Sequence, residues 1–166
     1  MNVYMTKGTT DYLSKLQANA SESIWLMQNE DGALAYYEGD NNPFQEPLTY
    51  EVVDHVNELK QEGYVVLNNI PVTDEGRPIF EDRFKNRAGA IEDTPGFQAI
   101  RILRPTGGDQ TYVVFTQWKD ELSFLDWKES QAFQKAHRNN GPQSKEKPSY
   151  IAGPSYLTKY HMSSTQ

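Results

Sequence analysis

From Tyr64 to Val72 the chain alternates residue by residue. One face carries Tyr64, Val66, Asn68, Ile70 and Val72, and the other carries Val65, Leu67, Asn69 and Pro71. A repeat of two is that of a β-strand. The same kind of reading orders the rest of the chain. Asn2–Thr6 is rich in β-formers and predicts a strand, and Thr9-Thr-Asp-Tyr12 supplies a helix N-cap, with Tyr12, Leu13, Leu16 and Ala20 following at helical spacing. Ile24–Gln28 and Ala33–Tyr37 read as two strands joined at Asn29-Glu-Asp-Gly32, a hairpin signal. Gly39–Pro43 is a loop. Tyr50–Leu59 reads as a strand on its valines, although Glu51, His55 and Lys60 also suit a helix. Beyond Gln61-Glu-Gly63, the seam between two halves, come the Tyr64–Val72 strand and a helix over Glu75–Arg87 with Ile79, Phe80, Phe84 and Ala88 on one stripe. Strands follow at Phe97–Arg104 and Thr111–Trp118, then a helical region over Glu121–Asn139. Asn140-Gly-Pro142 stops it, Ser144–Pro148 is a polar loop, and Ser155–Met162 is the last strand.

The second half therefore runs strand, helix, strand, strand, helix, strand, which is the ferredoxin-like split βαβ order of an α+β fold. The first half looks like a shortened copy of it. Two such sheets commonly pack face to face, with ligand space between sheet and helices.

At 100° per residue from Leu122, the residues Leu122, Leu125, Ala132, Phe133 and Ala136 form one apolar stripe. Glu129 falls in its middle, so a break near Glu129–Gln131 is expected, with Ser130 capping a second segment. Phe124 and Trp127 lie off the stripe. Trp127 then covers a second surface or lines a pocket, and His137 sits near the helix end as a capping residue or a ligand.

Composition narrows the function classes. Among 166 residues the formal charge is −7, and no basic stripe is visible, which disfavours nucleic acid as a partner. Aromatic residues make up 12 %, so the core is expected to use large rings. With no cysteine, disulfides, thiolate metal sites and cysteine nucleophiles are excluded. No apolar run approaches the length of a spanning helix, and MNVYMTKG lacks a signal-peptide layout, so a soluble cytoplasmic protein is expected. His55 and His161 are isolated and read as surface or strand-edge residues. Glu51, Asp54, Asp74 and Glu75 are too scattered for a carboxylate pair. Tyr36-Tyr37 reads as core or sheet surface. Tyr156 and Tyr160 share a face of the last strand, by default as core packing. Gly107-Gly108 is a turn and not a dinucleotide fingerprint, so flavin or NAD binding is not expected.

Asp126-Trp127 followed by Ala136-His137, with Asn68 some sixty residues earlier, resembles the Isd-type heme-degrading monooxygenases of the antibiotic-biosynthesis monooxygenase superfamily. The resemblance runs over about Gly63–Met162 and includes Asn-x-Ile-x-Val-Thr at Asn68–Thr73, Arg83-Phe84, Gly96-Phe97 and Gln131-Ala132-Phe133. The full length is similar to the longer bacillar members, a layout shared with the TRAP signal-transduction proteins. The family's trio of Asn, Trp and His falls on Asn68, Trp127 and His137. Asn69 is the rival for the first place, but alternation puts Asn68 on the apolar face.

The resemblance implies oxygen-dependent opening of heme, with heme as both substrate and cofactor, molecular oxygen, and electrons from a separate reductase. It implies His137 as the axial iron ligand, Asn68 as an amide donor on the oxygen side of the ring, and Trp127 as a flat wall that forces the ring out of plane. Arg101 and Arg104 are candidates for the propionates, with a solvated face as the alternative. Residues 1–62 are expected to form an N-terminal half-domain and 63–166 the monooxygenase domain. Shorter members close a barrel across a dimer interface, so here the N-terminal half is expected to supply the second sheet, giving a monomer with a pseudo-dimeric β-barrel. A regulatory TRAP-like protein and a heme-storage protein remain as alternatives.

Overall fold

The computed structural model describes residues 1–138 and 150–163; the side chains of residues 86–90 and 131–138 lie outside the described set. Eight strands and three helices are seen within it: β1 (Asn2–Gly8), α1 (Thr10–Asn19), β2 (Trp25–Asn29), β3 (Gly32–Glu38), β4 (Leu48–Val56), β5 (Tyr64–Pro71), α2 (Arg77–Ile91), β6 (Phe97–Pro105), β7 (Thr111–Trp118), α3 (Glu121–Arg138) and β8 (Tyr156–Met162). All pairings are antiparallel, and they close a barrel in the order β1-β3-β2-β8-β5-β7-β6-β4. Within each group of four strands the neighbours run fourth, first, third, second: β4-β1-β3-β2 and β8-β5-β7-β6. Both groups thus follow the ferredoxin-like order. They differ in helices. The segment between β3 and β4 has no helix, and Phe44 from it packs with Leu13, Ile24, Leu26, Ala33 and Ala35 under α1.

Local chemistry places the elements. The Thr9 side chain caps α1 by accepting from the Tyr12 amide at 3.2 Å. The β2–β3 hairpin turns at Asn29–Gly32, where the Asn29 carboxamide oxygen accepts from the Asp31 amide. The ambiguous Tyr50–Leu59 stretch is mostly strand, because pairing with both β1 and β6 satisfies its backbone.

Alternation then divides the barrel into an inside and an outside. Val3, Met5, Met27, Leu34, Tyr36, Val65, Leu67, Leu103, Val113, Phe115 and Tyr160 fill the interior. Tyr64, Val66, Ile70, Ile100, Ile102, Tyr112, Val114 and Trp118 face outward beneath α2 and α3, with Phe80 and Phe124 contributed by the helices. At the barrel end Gln117 is fully buried. Its Nε2 donates to the Lys60 and Glu62 carbonyls, and its Oε1 accepts from the Lys60 amide. Gln61 makes the matching ties to Leu26 and to the Ser163 carbonyl. The linker between the halves is held by side-chain amides that finish its backbone hydrogen bonds.

Several expectations need correction. α3 runs without a break through Glu129, and Ser130 lies inside it rather than capping a second segment. Over residues 121–130, whose side chains are described, the buried face is not the expected stripe, and Ala132, Phe133 and Ala136 of that stripe lie outside the described set. Leu122 and Leu125 are exposed, as is Glu129, whereas Phe124 is buried and Trp127 is half-buried. The helix is turned roughly half a revolution, because seating Phe124 and Trp127 buries more apolar area than two leucines would and sends Glu129 to water. Ile79 on α2 is likewise exposed, and Phe80 and Phe84 carry the contact. Tyr156 and Tyr160 part company: Tyr160 is in the interior and Tyr156 is exposed. The Asn140-Gly-Pro142 stop and the Ser144–Pro148 loop lie outside the described residues. Among the described residues no helix is long and apolar enough to cross a membrane.

Arg101 departs furthest from expectation. It is buried, and its Nε meets Glu38 Oε2 at 2.7 Å, joining β6 of one half to β3 of the other. Tyr36 Oη donates to the same carboxylate, and burial, then Glu38, holds that phenol's pKa well above its ordinary range. Removing one partner leaves a buried charge uncompensated. Glu38→Ala should therefore cost about 3–5 kcal/mol, read as a lower urea midpoint at unchanged slope. A midpoint equal to that of the parent would show that the pair is not buried in solution.

Candidate functional site

The outer face of β5 is the place to begin. Asn68 stands between Val66 and Ile70, opposite Val114 of β7 and Leu157 of β8. All of these except Leu157 are buried and belong to the apolar layer beneath the helices. Asn69, one residue on, points into the barrel, where its Nδ2 donates to the Leu67 and Tyr156 carbonyls and to Thr158 Oγ1. The two amides differ in their freedom. Asn69 is a satisfied structural residue, whereas the half-buried Asn68 carboxamide makes no hydrogen bond with a described residue.

Trp127 enters the same layer from α3. The helix begins at Asp120, whose Oδ1 accepts from the Ser123 amide at 2.9 Å and the Ser123 hydroxyl at 2.7 Å; these bonds hold the Asp120 carboxyl below its usual range. Its first turns come close to the loop before β6. A Cβ on Gly96 would stand 2.1 Å from Ser123 Oγ, so only glycine fits there. From this start Phe124 and Trp127 project onto Trp118, with ring centroids 5.9 Å and 5.6 Å away. The Trp127 indole Nε1 is buried with no partner among the described residues. Such a group normally finds an acceptor. His137 falls on α3, but its side chain lies outside the described set. The structure thus brings Asn68 and Trp127 to one layer and does not describe the third candidate's imidazole.

A cavity of about 250 Å³ opens beside this layer. Ile70 lies on its β5 side, Phe80 and Phe84 of α2 form its roof, and Tyr150–Ser155 bound its far side. Tyr150 is fixed there by the Thr73 amide donating to its carbonyl and by the Phe80 ring at 6.1 Å. Neither Asn68 nor Trp127 lines this cavity; Trp127 borders a separate cavity of about 570 Å³ beside α3, with Asp93, Lys119, Asp120 and Asp126. A larger cavity, about 750 Å³, lies between α1 and β2, is lined mainly by polar residues and is lined by neither Asn68 nor Trp127. Size is therefore a poor guide here, and the unengaged donors are the better one. Among the described residues no group of three metal-ligating side chains occurs.

Neither arginine proposed for propionates is free. Arg101 is inside the barrel, as described. Arg104 Nε and Nη2 grip Glu81 of α2 at 2.8 Å and 2.6 Å, and Nη1 reaches Glu51 at 3.4 Å. Tyr112 Oη donates to the same Glu81 carboxylate. The Arg104 bonds hold the Glu81 carboxyl below its ordinary range, against a smaller opposing effect of burial; burial, then Glu81, pushes the Tyr112 phenol well above its own. This clamp was not legible beforehand because its side chains come from α2, β6 and β7, and no spacing in the chain links the three. It ties the roof of the 250 Å³ cavity to the sheet. The fully buried Trp118 was also missed, since nothing in its strand marked it as the rest for Trp127.

Two split-βαβ sheets closed into one antiparallel barrel define the ferredoxin-like class to which this fold belongs. The antibiotic biosynthesis monooxygenase model matches residues 63–139. A heme-degrading monooxygenase of Listeria monocytogenes is 32% identical over 130 residues, covering 77% of each chain. The crystal structure of a heme-degrading enzyme from Listeria monocytogenes superposes with a TM-score of 0.72 at 27% identity, covering 98% of this chain and 100% of that one. A signal transduction protein TRAP of Staphylococcus epidermidis is 23% identical over 135 residues, 80% of each chain. This chain belongs to the antibiotic biosynthesis monooxygenase family.

The Glu81 clamp gives a pH-dependent prediction. Glu81→Gln should lower stability at neutral pH by about 1–2 kcal/mol, a range reduced for the partial exposure of Arg104. Because the carboxyl pKa is depressed by folding, its contribution is complete above the unfolded-state value and disappears as pH falls through the folded-state value. Parent and variant should therefore converge in urea titrations as the pH drops below the usual carboxylate range. A gap that persists there would show that the carboxylate's charge is not what holds α2.

Proposed function

We propose that this protein opens heme to a linear tetrapyrrole and releases its iron, using molecular oxygen and electrons from a separate reductase. By its kinship the chain is a heme-degrading monooxygenase; the product, the reductant and the residues are the substance of the proposal. One observation carries it: two unengaged N–H donors, the Asn68 carboxamide and the Trp127 indole, sit in one otherwise apolar layer between sheet and helices. An apolar slot with a few unpaired donors suits a flat macrocycle that needs both stacking surface and a hydrogen bond.

When bound, heme and oxygen supply the oxidative chemistry. The chain's own part is to hold and orient the substrate. His137, toward the C-terminal end of α3, would hold the heme iron through a neutral imidazole nitrogen. Asn68 holds an N–H toward the side on which oxygen is handled, and its place in the sheet fixes that donor before substrate arrives. Trp127 supplies a rigid wall, backed by the buried Trp118 and therefore unable to yield. Phe80 and Phe84 supply apolar surface on the α2 side of the same layer. We read residues 1–62 as a supporting half and 63–166 as the catalytic half, in a monomeric cytoplasmic protein that relies on an external reductase and binds no flavin or NAD itself.

The test adds heme, then ascorbate or a reductase with NADPH, and follows the Soret band. The parent should bind and bleach. An unchanged spectrum on adding heme would refute the reading; binding without bleaching would favour storage or a TRAP-like regulatory role. His137→Ala should abolish the ligated-heme spectrum. Asn68→Ala should bind heme yet turn over about 100-fold more slowly, as expected for loss of one preorganised donor. Trp127→Ala should bind with slowed turnover, and parental rates there would discard the wall.

A further inference from the structure

Three oxidisable rings lead away from the proposed heme face. Trp127 stands 5.6 Å, centroid to centroid, from Trp118. Trp118 is fully buried and is the direct cross-strand partner of Tyr64. Residues paired in this way on one face hold their Cβ atoms about 4.5–5.5 Å apart. Phe124 fills the angle between them, 5.9 Å from Trp118 and 6.2 Å from Tyr64. Tyr64 ends the line. Its ring meets the exposed His161 edge-on at 5.0 Å, and burial, then the nearby Glu121 carboxylate on the first turn of α3, raises the pKa of its phenol. The chain has only three tryptophans, and two of them lie on this line; it has no cysteine, so no thiol competes for an oxidising equivalent.

We infer that Trp127, Trp118 and Tyr64 form a relay that carries stray oxidising equivalents from the heme face to the surface at Glu121. The inference rests on the proposed function for its oxidant, which is the species formed when heme and oxygen react without productive ring opening. That oxidant takes one electron from Trp127. Trp118 refills Trp127 with one electron, and Tyr64 refills Trp118. As Tyr64 loses its electron, its phenolic proton passes to Glu121, leaving a neutral phenoxyl radical and a protonated carboxyl. One electron from a soluble reductant of the ascorbate class, with the proton returned from Glu121, restores both groups.

The direction of the relay follows from where proton acceptors stand. The Trp127 indole N–H has no acceptor among the described residues, and the Trp118 N–H meets only the neutral Thr116 hydroxyl at 2.9 Å. Neither oxidised indole can readily discharge its proton, so each remains a strong oxidant of its neighbour. Asp93, Asp120 and Asp126 line the cavity beside Trp127, but its Nε1 is buried and bonds to none of them, so among the described residues the carboxylate that acts on a group of the relay is Glu121 at Tyr64. The rings therefore run from a wall that must survive turnover to a position from which the radical can be quenched.

The first experiment needs no heme. Azidyl radicals generated by pulse radiolysis oxidise tryptophan in the free protein, and passage of the radical to tyrosine is followed optically. Tyr64→Phe, which keeps the ring and removes only the hydroxyl, should at least halve the tyrosine-radical yield. Trp118→Phe should slow its appearance. Tyr12→Phe, on the exposed face of α1, should match the parent. An unchanged yield in Tyr64→Phe would overturn the relay, whatever the protein binds. The second experiment exposes heme-loaded protein to hydrogen peroxide and maps oxygenated residues by peptide mass spectrometry. Trp127 should acquire oxygen several-fold faster in Tyr64→Phe than in the parent, and equal rates would overturn the protective role. Radical transfer in the first experiment with no heme uptake in the second would support the relay and refute the heme site.

Discussion

Everything in this molecule depends on two seams. Each four-stranded group has edges at its second and fourth strands, and the barrel exists only because β4 pairs with β6 and β2 with β8. The first seam is long, running from Tyr50 opposite Pro105 to Val56 opposite Ile100, and it absorbs a register shift near Val53. The second has two residue pairs, Met27 with Met162 and Gln28 with His161. It is extended by the Ser163 amide donating to the Leu26 carbonyl and by the Gln61 side chain. Closure removes the free edges that invite aggregation and gives the interior its apolar filling. It also holds β5 with a neighbour on either side, which keeps the outer face of that strand flat enough to serve as a platform.

The platform turns on a single register. Asn68 and Asn69 are adjacent, chemically identical and on opposite faces. A slip by one residue would put the satisfied amide beneath the helices and the unengaged one inside the barrel. The alternation from Tyr64 to Val72 put the two amides on opposite faces from sequence but could not choose between them, because both faces of β5 lie against a core, Val65 and Leu67 inside the barrel and Tyr64, Val66 and Ile70 beneath the helices. The strand order was legible because hairpin turns, glycines and apolar runs are local signals, and the structure uses each where it occurs. Gly63, just before β5, sits at φ +102 with the Trp118 carbonyl 2.3 Å from where a Cβ would be, so the backbone there requires glycine.

What was not legible required knowledge of partners. The first half of α3 was misjudged because Leu122 and Leu125 compete there with Phe124 and Trp127, and periodicity counts positions rather than area. Glu129 then looked like a defect in a helix that merely exposes it. Arg101 was read as surface because a guanidinium seldom lies inside a barrel; its partner, Glu38, is sixty-three residues away and belongs to the other half. The Glu81–Arg104–Tyr112 clamp brings together three elements, and no spacing rule in the chain anticipates it. The imidazole of His137 remains an assignment from family pattern alone.

Both sheets of the barrel belong to one polypeptide, joined by the short link from Asn57 to Gly63. A barrel assembled from two chains must be re-formed after every dissociation and falls apart on dilution. Here each sheet meets the other at an effective concentration on the order of millimolar, whatever the amount of protein present. The fraction of molecules with an intact platform is then set by folding alone and carries no mass-action term. A cell holding few copies would have the same proportion of competent ones as a cell holding many.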